Sequence, residues 1–133
     1  MDLEKFLEFS DKKLKKGIYI EYNDIGFYEF DFDIFKKNKY LGQFGIGTFQ
    51  KYIKLQYLVL KEENTGTGSQ IIDLLKKYCI ETNRNKIIIT HVAKFLPDSE
   101  LTFEDRMKIF THIGEKFNME VKRIEKNIEY IIK

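Results

Sequence analysis

The residues best placed for chemistry lie between Lys61 and Gln70, KEENTGTGSQ, where two glycines separate an apolar run from a helical pattern. Gly66 and Gly68 permit positive φ and leave the main chain open to close approach. If a helix opens here, the backbone N–H groups of Asn64, Thr65, Gly66, Thr67, Gly68, Ser69 and Gln70 converge at the positive end of its dipole. That arrangement binds phosphate or pyrophosphate. The same glycines also serve a plain strand-to-helix turn, and the pattern alone leaves both open. Other groups able to move protons are Tyr57 and Glu62 beside this loop, His91, and His112. Cys79 is the single cysteine and falls on an apolar helix face, so it reads as a small core residue. It offers no disulfide, and no metal site is expected.

Spacing excludes two familiar phosphate loops. A P-loop needs Lys and then Ser or Thr after its second glycine, where Ser69 and Gln70 stand. A dinucleotide fingerprint needs a third glycine, where Ile71 stands.

The elements that must position this loop are legible from periodicity. Leu55, Tyr57, Leu58, Val59 and Leu60 form an apolar run suited to a buried strand. From Ser69, the residues Ile71, Ile72, Leu74, Leu75, Tyr78 and Cys79 keep helical spacing. Ile87, Ile88 and Ile89 then mark a central strand, read over 86–95. Strand, helix and strand at this spacing imply a right-handed crossover and a parallel pair, with ligands gathering at the carboxyl ends of the strands.

Residues 2–16 read as an amphipathic helix ending at Gly17, and Ile18, Ile20 and Tyr22 as a first strand. The stretch 25–35 alternates, with Tyr28, Phe30, Phe32 and Ile34 on one side and Glu29, Asp31 and Asp33 on the other. Such an acidic stripe could draw in a cationic amine; the plainer reading, preferred here, is a solvated sheet face paired with lysines. Residues 40–49 read as a strand whose Gly42, Gly45 and Gly47 mark a bulge or a close approach. After Pro97, Thr102 and Asp105 have capping-box spacing ahead of a helix carrying Phe103, Met107, Phe110, Ile113 and Phe117. A hairpin around Glu125, Lys126 and Asn127 closes the chain.

The 133 residues suit a single domain with its own core. Lys and Arg number 23 against 21 Asp and Glu, a net charge of +2, which gives no case for nucleic-acid binding through phosphate neutralisation. No apolar run approaches the ~20 residues needed to cross a bilayer, and the N-terminus lacks signal-peptide character. A cytoplasmic protein without a membrane partner is expected. The aromatic strands and terminal hairpin leave room for a homodimer.

The loop resembles motif A of the GCN5-related N-acetyltransferases (GNAT), which reads Gln or Arg, two variable residues, Gly, one variable residue, then Gly or Ala. The register here is Glu63, Asn64, Thr65, Gly66, Thr67, Gly68. The element order resembles that fold over most of the chain, with a shortened N-terminal part. The fold class is therefore α+β: a GNAT-like acyl-CoA N-acyltransferase fold in one domain, 1–133, its mixed, mostly antiparallel sheet flanked by helices.

The resemblance implies that acetyl-CoA lies where two strands splay apart. Its thioester would meet backbone N–H groups at Leu58, Val59 and Leu60, its pyrophosphate the loop through Gln70, and an amine of a small molecule or protein would attack it directly. His91 and Tyr57 stand as candidates for proton transfer. The family often carries a tyrosine on the helix before the last hairpin, where this chain has Phe110, Thr111 and His112. That difference, with Glu63 at a position usually basic or an amide, motivates the alternative of a non-catalytic CoA-binding or protein-interaction module. An unrelated α+β protein without a CoA site is the third reading.

Overall fold

The computed structural model describes residues 1–26, 28–61, 66–90 and 102–133. Three helices and seven strands follow one another as α1 (Leu3–Lys13), β1 (Ile18–Asn23), β2 (Phe30–Lys36), β3 (Lys39–Thr48), β4 (Tyr52–Leu60), α2 (Thr67–Glu81), β5 (Lys86–Ile89), α3 (Phe103–Lys116), β6 (Glu120–Ile124) and β7 (Asn127–Ile131). The strands form one sheet in the order β1-β2-β3-β4-β5-β7-β6. Only β4 and β5 run parallel, as the intervening helix requires; the other pairs are antiparallel.

Strand register assigns the side chains to two faces. Phe32, Phe44 and Leu58 are cross-strand neighbours, as are Ile53, Ile87 and Tyr130, and all six are buried. The helices pack over this face. Phe6 of α1 meets both Phe32 and Tyr78 of α2, with ring centroids 5.2 and 4.9 Å apart, and the Tyr130 hydroxyl donates to the Phe110 carbonyl of α3. The opposite face carries rows such as Glu21–Asp33–Gln43–Val59 and Lys54–Ile88–Glu129–Lys122, and no described helix covers it.

Local chemistry sets the helix ends. Asp2 caps α1 by accepting from the Lys5 N–H at 3.2 Å. At α3 the expected capping box forms: Thr102 Oγ1 accepts from the Asp105 N–H and Asp105 Oδ2 from the Thr102 N–H, both at 3.1 Å.

Three expectations change. The second strand begins at Phe30, because residues 24–26 form a turn and Ile25 stays 84% exposed. The stripe beside it is no solvated lysine-paired face: Asp31 is only 3% exposed and accepts from the Tyr28 N–H and the Tyr57 hydroxyl. The strand read over 86–95 is β5, Lys86–Ile89; residues 91–95 lie outside the described ones. Among the described residues, no helix is long and apolar enough to cross a membrane.

Candidate active site

The site is built by one strand outrunning its neighbour. β5 pairs with β4 only from Tyr52↔Lys86 to Leu55↔Ile89, while β4 continues to Leu60. On its other side, β4 stays paired with β3 as far as Leu60↔Gly42. A gap therefore opens beside residues 56–60 on the β5 side.

A bulge sets which backbone groups face that gap. β3 and β4 shift register where Gly45 opposes Tyr57 and Ile46 opposes Leu55, which leaves Gln56 as the extra residue. Further along, the Lys61 N–H donates to the Leu41 carbonyl at 2.9 Å. Backbone groups alternate sides along an antiparallel ladder, so the N–H groups of Leu58 and Leu60 turn away from β3, into the gap.

The first turn of α2 packs against these residues. A Cβ placed on Gly68 would stand 3.5 Å from the Leu60 side chain and 3.7 Å from that of Leu58. A glycine there lets the helix start come close to the strand. Gly66, the N-cap, has φ +81 and no side-chain cap, and no other heavy atom lies within 4 Å of where its Cβ would be. Its carbonyl accepts from the Gln70 N–H at 3.1 Å, so Thr67, Gly68 and Ser69 carry the amides ahead of the first intrahelical bond. The first turn holds no acidic residue that would oppose an anion. Gln70 is engaged elsewhere as well, since its Oε1 accepts from the Lys15 N–H at 2.9 Å.

Tyr57 lies on the open face but reaches the other way. Its ring passes over Gly45 and its hydroxyl donates to Asp31 Oδ1 at 2.7 Å, two strands from β4. That places the phenol oxygen roughly 10 Å from the strand carrying it. Burial, then the bond to Asp31, then the charges of Asp31 and Asp33 push its pKa far above the usual tyrosine value. The phenol is a fixed donor. Asp33 Oδ1 accepts from Gln43 Nε2 at 2.9 Å, and Glu29 holds the Thr48 hydroxyl at 2.7 Å. The acidic stripe is thus tied by neutral donors.

The remaining candidates separate. Leu58, Val59, Leu60, Gly66, Thr67, Gly68, Ser69 and Gln70 come together around the gap. Glu62, Asn64, Thr65 and His91 lie outside the described residues. His112 lines a cleft of about 320 Å³ with Lys108, Thr111, Glu115 and Arg123. Arg123 belongs to β6, and β7 intervenes between that edge strand and β5. Asp31, Gln56 and Thr90 were not anticipated as partners. Alternation marked Asp31 as facing away from the core, but no local signal pairs it with a tyrosine 26 positions on.

No family model matches the chain, and no curated protein matches its sequence. Solved structures do. Ard1 from Thermoplasma volcanium aligns at 12% identity with a TM-score of 0.51, over 77% of this chain and 70% of that one. A GNAT-family acetyltransferase from Staphylococcus aureus Mu50 aligns at 12% identity and 0.51, over 99% and 77%. The N-acetyltransferase PseH of Campylobacter jejuni aligns at 14% and 0.51, over 99% and 79%. The chain has the GNAT acyltransferase fold. At these identities the likeness is one of fold, and within the GNAT fold described here the gap beside β4 is framed by Leu58, Leu60 and the N-terminal turn of α2.

Proposed function

We propose that the protein is an N-acetyltransferase that moves an acetyl group from acetyl-CoA to an amine of a small molecule or protein by direct attack. The observation that carries this reading is the gap itself: main-chain donors of Leu58 and Leu60 face it, and the uncapped N-terminus of α2 closes one side. In this reading the amides of Thr67, Gly68 and Ser69 hold the pyrophosphate. The Leu58 and Leu60 N–H groups hold the acyl arm and the oxyanion that develops on its carbonyl. Bound acetyl-CoA supplies an acyl carbon activated as a thioester. The acceptor approaches from the open face of the sheet, opposite the helices. Its nitrogen bonds to the acyl carbon, the carbon–sulfur bond breaks, and the thiolate takes up a proton. His91, on the chain just beyond β5, is the residue proposed to take the proton that the amine gives up.

Thermal unfolding with acetyl-CoA, against NAD and ATP as controls, tests the binding half. A ligand at a hundred times its dissociation constant adds about 2.7 kcal/mol, which raises the midpoint by several degrees. Thiol release with polyamines, aminoglycosides and lysine peptides tests transfer. The second reading, a CoA-binding or interaction module, gains from one observation: the Tyr57 hydroxyl is held on Asp31, away from the gap. Binding without turnover for any acceptor would establish it.

A further inference from the structure

The lower end of the gap is closed by side chains. The Thr90 N–H donates to the Leu55 carbonyl at 3.2 Å, continuing the β4–β5 ladder by one bond. Thr90 Oγ1 then stands 3.3 Å from Gln56 Oε1 and 3.5 Å from the Leu55 carbonyl oxygen. Gln56 is the bulge residue, so its side chain is released from the strand's regular alternation. A Cβ on Gly47 would lie 3.4 Å from Gln56 Nε2. The amide therefore lies across β4, from Thr90 on one side to Gly47 of β3 on the other. Beneath it, Leu55 and Ile89 are fully buried in the core.

From these contacts we propose that the Gln56–Thr90 pair is the end wall of the acyl pocket and restricts the donor to short-chain acyl-CoA thioesters. The inference rests on the acyl-transfer reading above. A thioester arm anchored at the first turn of α2 enters the gap beside Leu60 and Leu58, then runs toward Gln56. Its acyl group points at the junction where β4 and β5 rejoin. Two carbons end at the amide of Gln56. A longer chain has to displace that amide and break its bond to Thr90, since Leu55 and Ile89 leave no space on the helix side. The wall is polar and the chain apolar, so extension also leaves Gln56 and Thr90 unpaired against hydrocarbon.

The test is competition binding of free CoA, acetyl-CoA, butyryl-CoA and hexanoyl-CoA to the wild type, Gln56→Ala and Thr90→Ala. The wild type is expected to favour acetyl-CoA over hexanoyl-CoA by about tenfold or more, the scale on which pocket walls discriminate chain length. Gln56→Ala should erase most of that preference and Thr90→Ala part of it, while free CoA binds all three alike. A wild type that accepts hexanoyl-CoA as well as acetyl-CoA overturns the wall. So does an unchanged preference in Gln56→Ala or, should that variant fail to fold, in Thr90→Ala. Loss of binding for every thioester and for CoA itself overturns the acyl-transfer reading as well, which distinguishes the two failures.

Discussion

Tyr57 and Asp31 meet across a strand that has made room for them. The phenol donates to Oδ1 at 2.7 Å, and its ring occupies the place over Gly45 where a Cβ would stand 2.3 Å from Cε1. The second carboxylate oxygen takes the Tyr28 N–H at 3.0 Å, so a buried charge on β2 is held by one donor from β4 and one from the preceding loop.

Gly45→Ala is expected to destabilise the fold by about 1–3 kcal/mol, the usual cost of forcing extra volume into a filled site. The ring must leave Asp31 to admit the methyl group. Adding Tyr57→Ala to that variant should cost less than the sum of the two single changes, because the clash disappears with the ring. Urea unfolding of the four proteins checks this; strict additivity would show that the ring and Gly45 do not compete for the space.

Alkaline pH should weaken the fold. Burial and the bond to Asp31 raise Tyr57, burial raises Tyr130, and burial pushes the Cys79 thiol from 9.0 to about 12. Each group keeps its proton longer when folded than when unfolded. Their contribution is complete below the ordinary values, 9.0 for the thiol and 10.0 for the phenols, and is lost as pH rises above them. Midpoints measured from pH 8 to 11 should fall progressively, and the fall should be shallower in Tyr57→Phe. An unchanged slope in that variant would mean Tyr57 ionises freely in the folded state.

Gly66→Glu is expected to abolish acetyl-CoA binding while leaving a folded protein. No other heavy atom within 4 Å opposes a side chain there, so the structural cost is that of φ +81, of order 1–3 kcal/mol. The added carboxylate sits where an anion would bind. Gly66→Ala carries the backbone strain without the charge. It should keep measurable binding, read as the midpoint shift with ligand, and equal loss in both would assign the effect to strain.

Thr102→Ala should cost about 0.5–2 kcal/mol by removing the acceptor for the Asp105 N–H, and Thr102→Ser should recover most of it. Denaturant midpoints of the three proteins decide.

Local pattern revealed a large share of this. The crossover from β4 through α2 to β5, the capping box at Thr102 and the hairpin around Glu125 follow from periodicity and turn chemistry, which neighbouring residues determine. The loop glycines were legible for the same reason. What escaped was long-range pairing. Alternation placed Glu29, Asp31 and Asp33 opposite the core side chains, but whether lysines, a phenol or amides answer them depends on strand order. The register shift that frees Gln56 depends likewise on how β3 meets β4. The beginning of β2 was drawn too early because Tyr28 continues the alternation, although a turn holds residues 24–26.

The position of β7 between β5 and β6 governs the order of assembly. β5 is laid down with Ile87 and Ile89 facing the core, yet its outer edge finds its partner only when Ile128 and Tyr130 arrive, after α3 and β6 have been made. A growing chain that has finished β5 therefore carries an unpaired apolar strand edge, a template for the wrong neighbour. Closure of the sheet depends on contacts between segments distant in sequence, which slows folding. The last hairpin acts as the latch that ends this vulnerability.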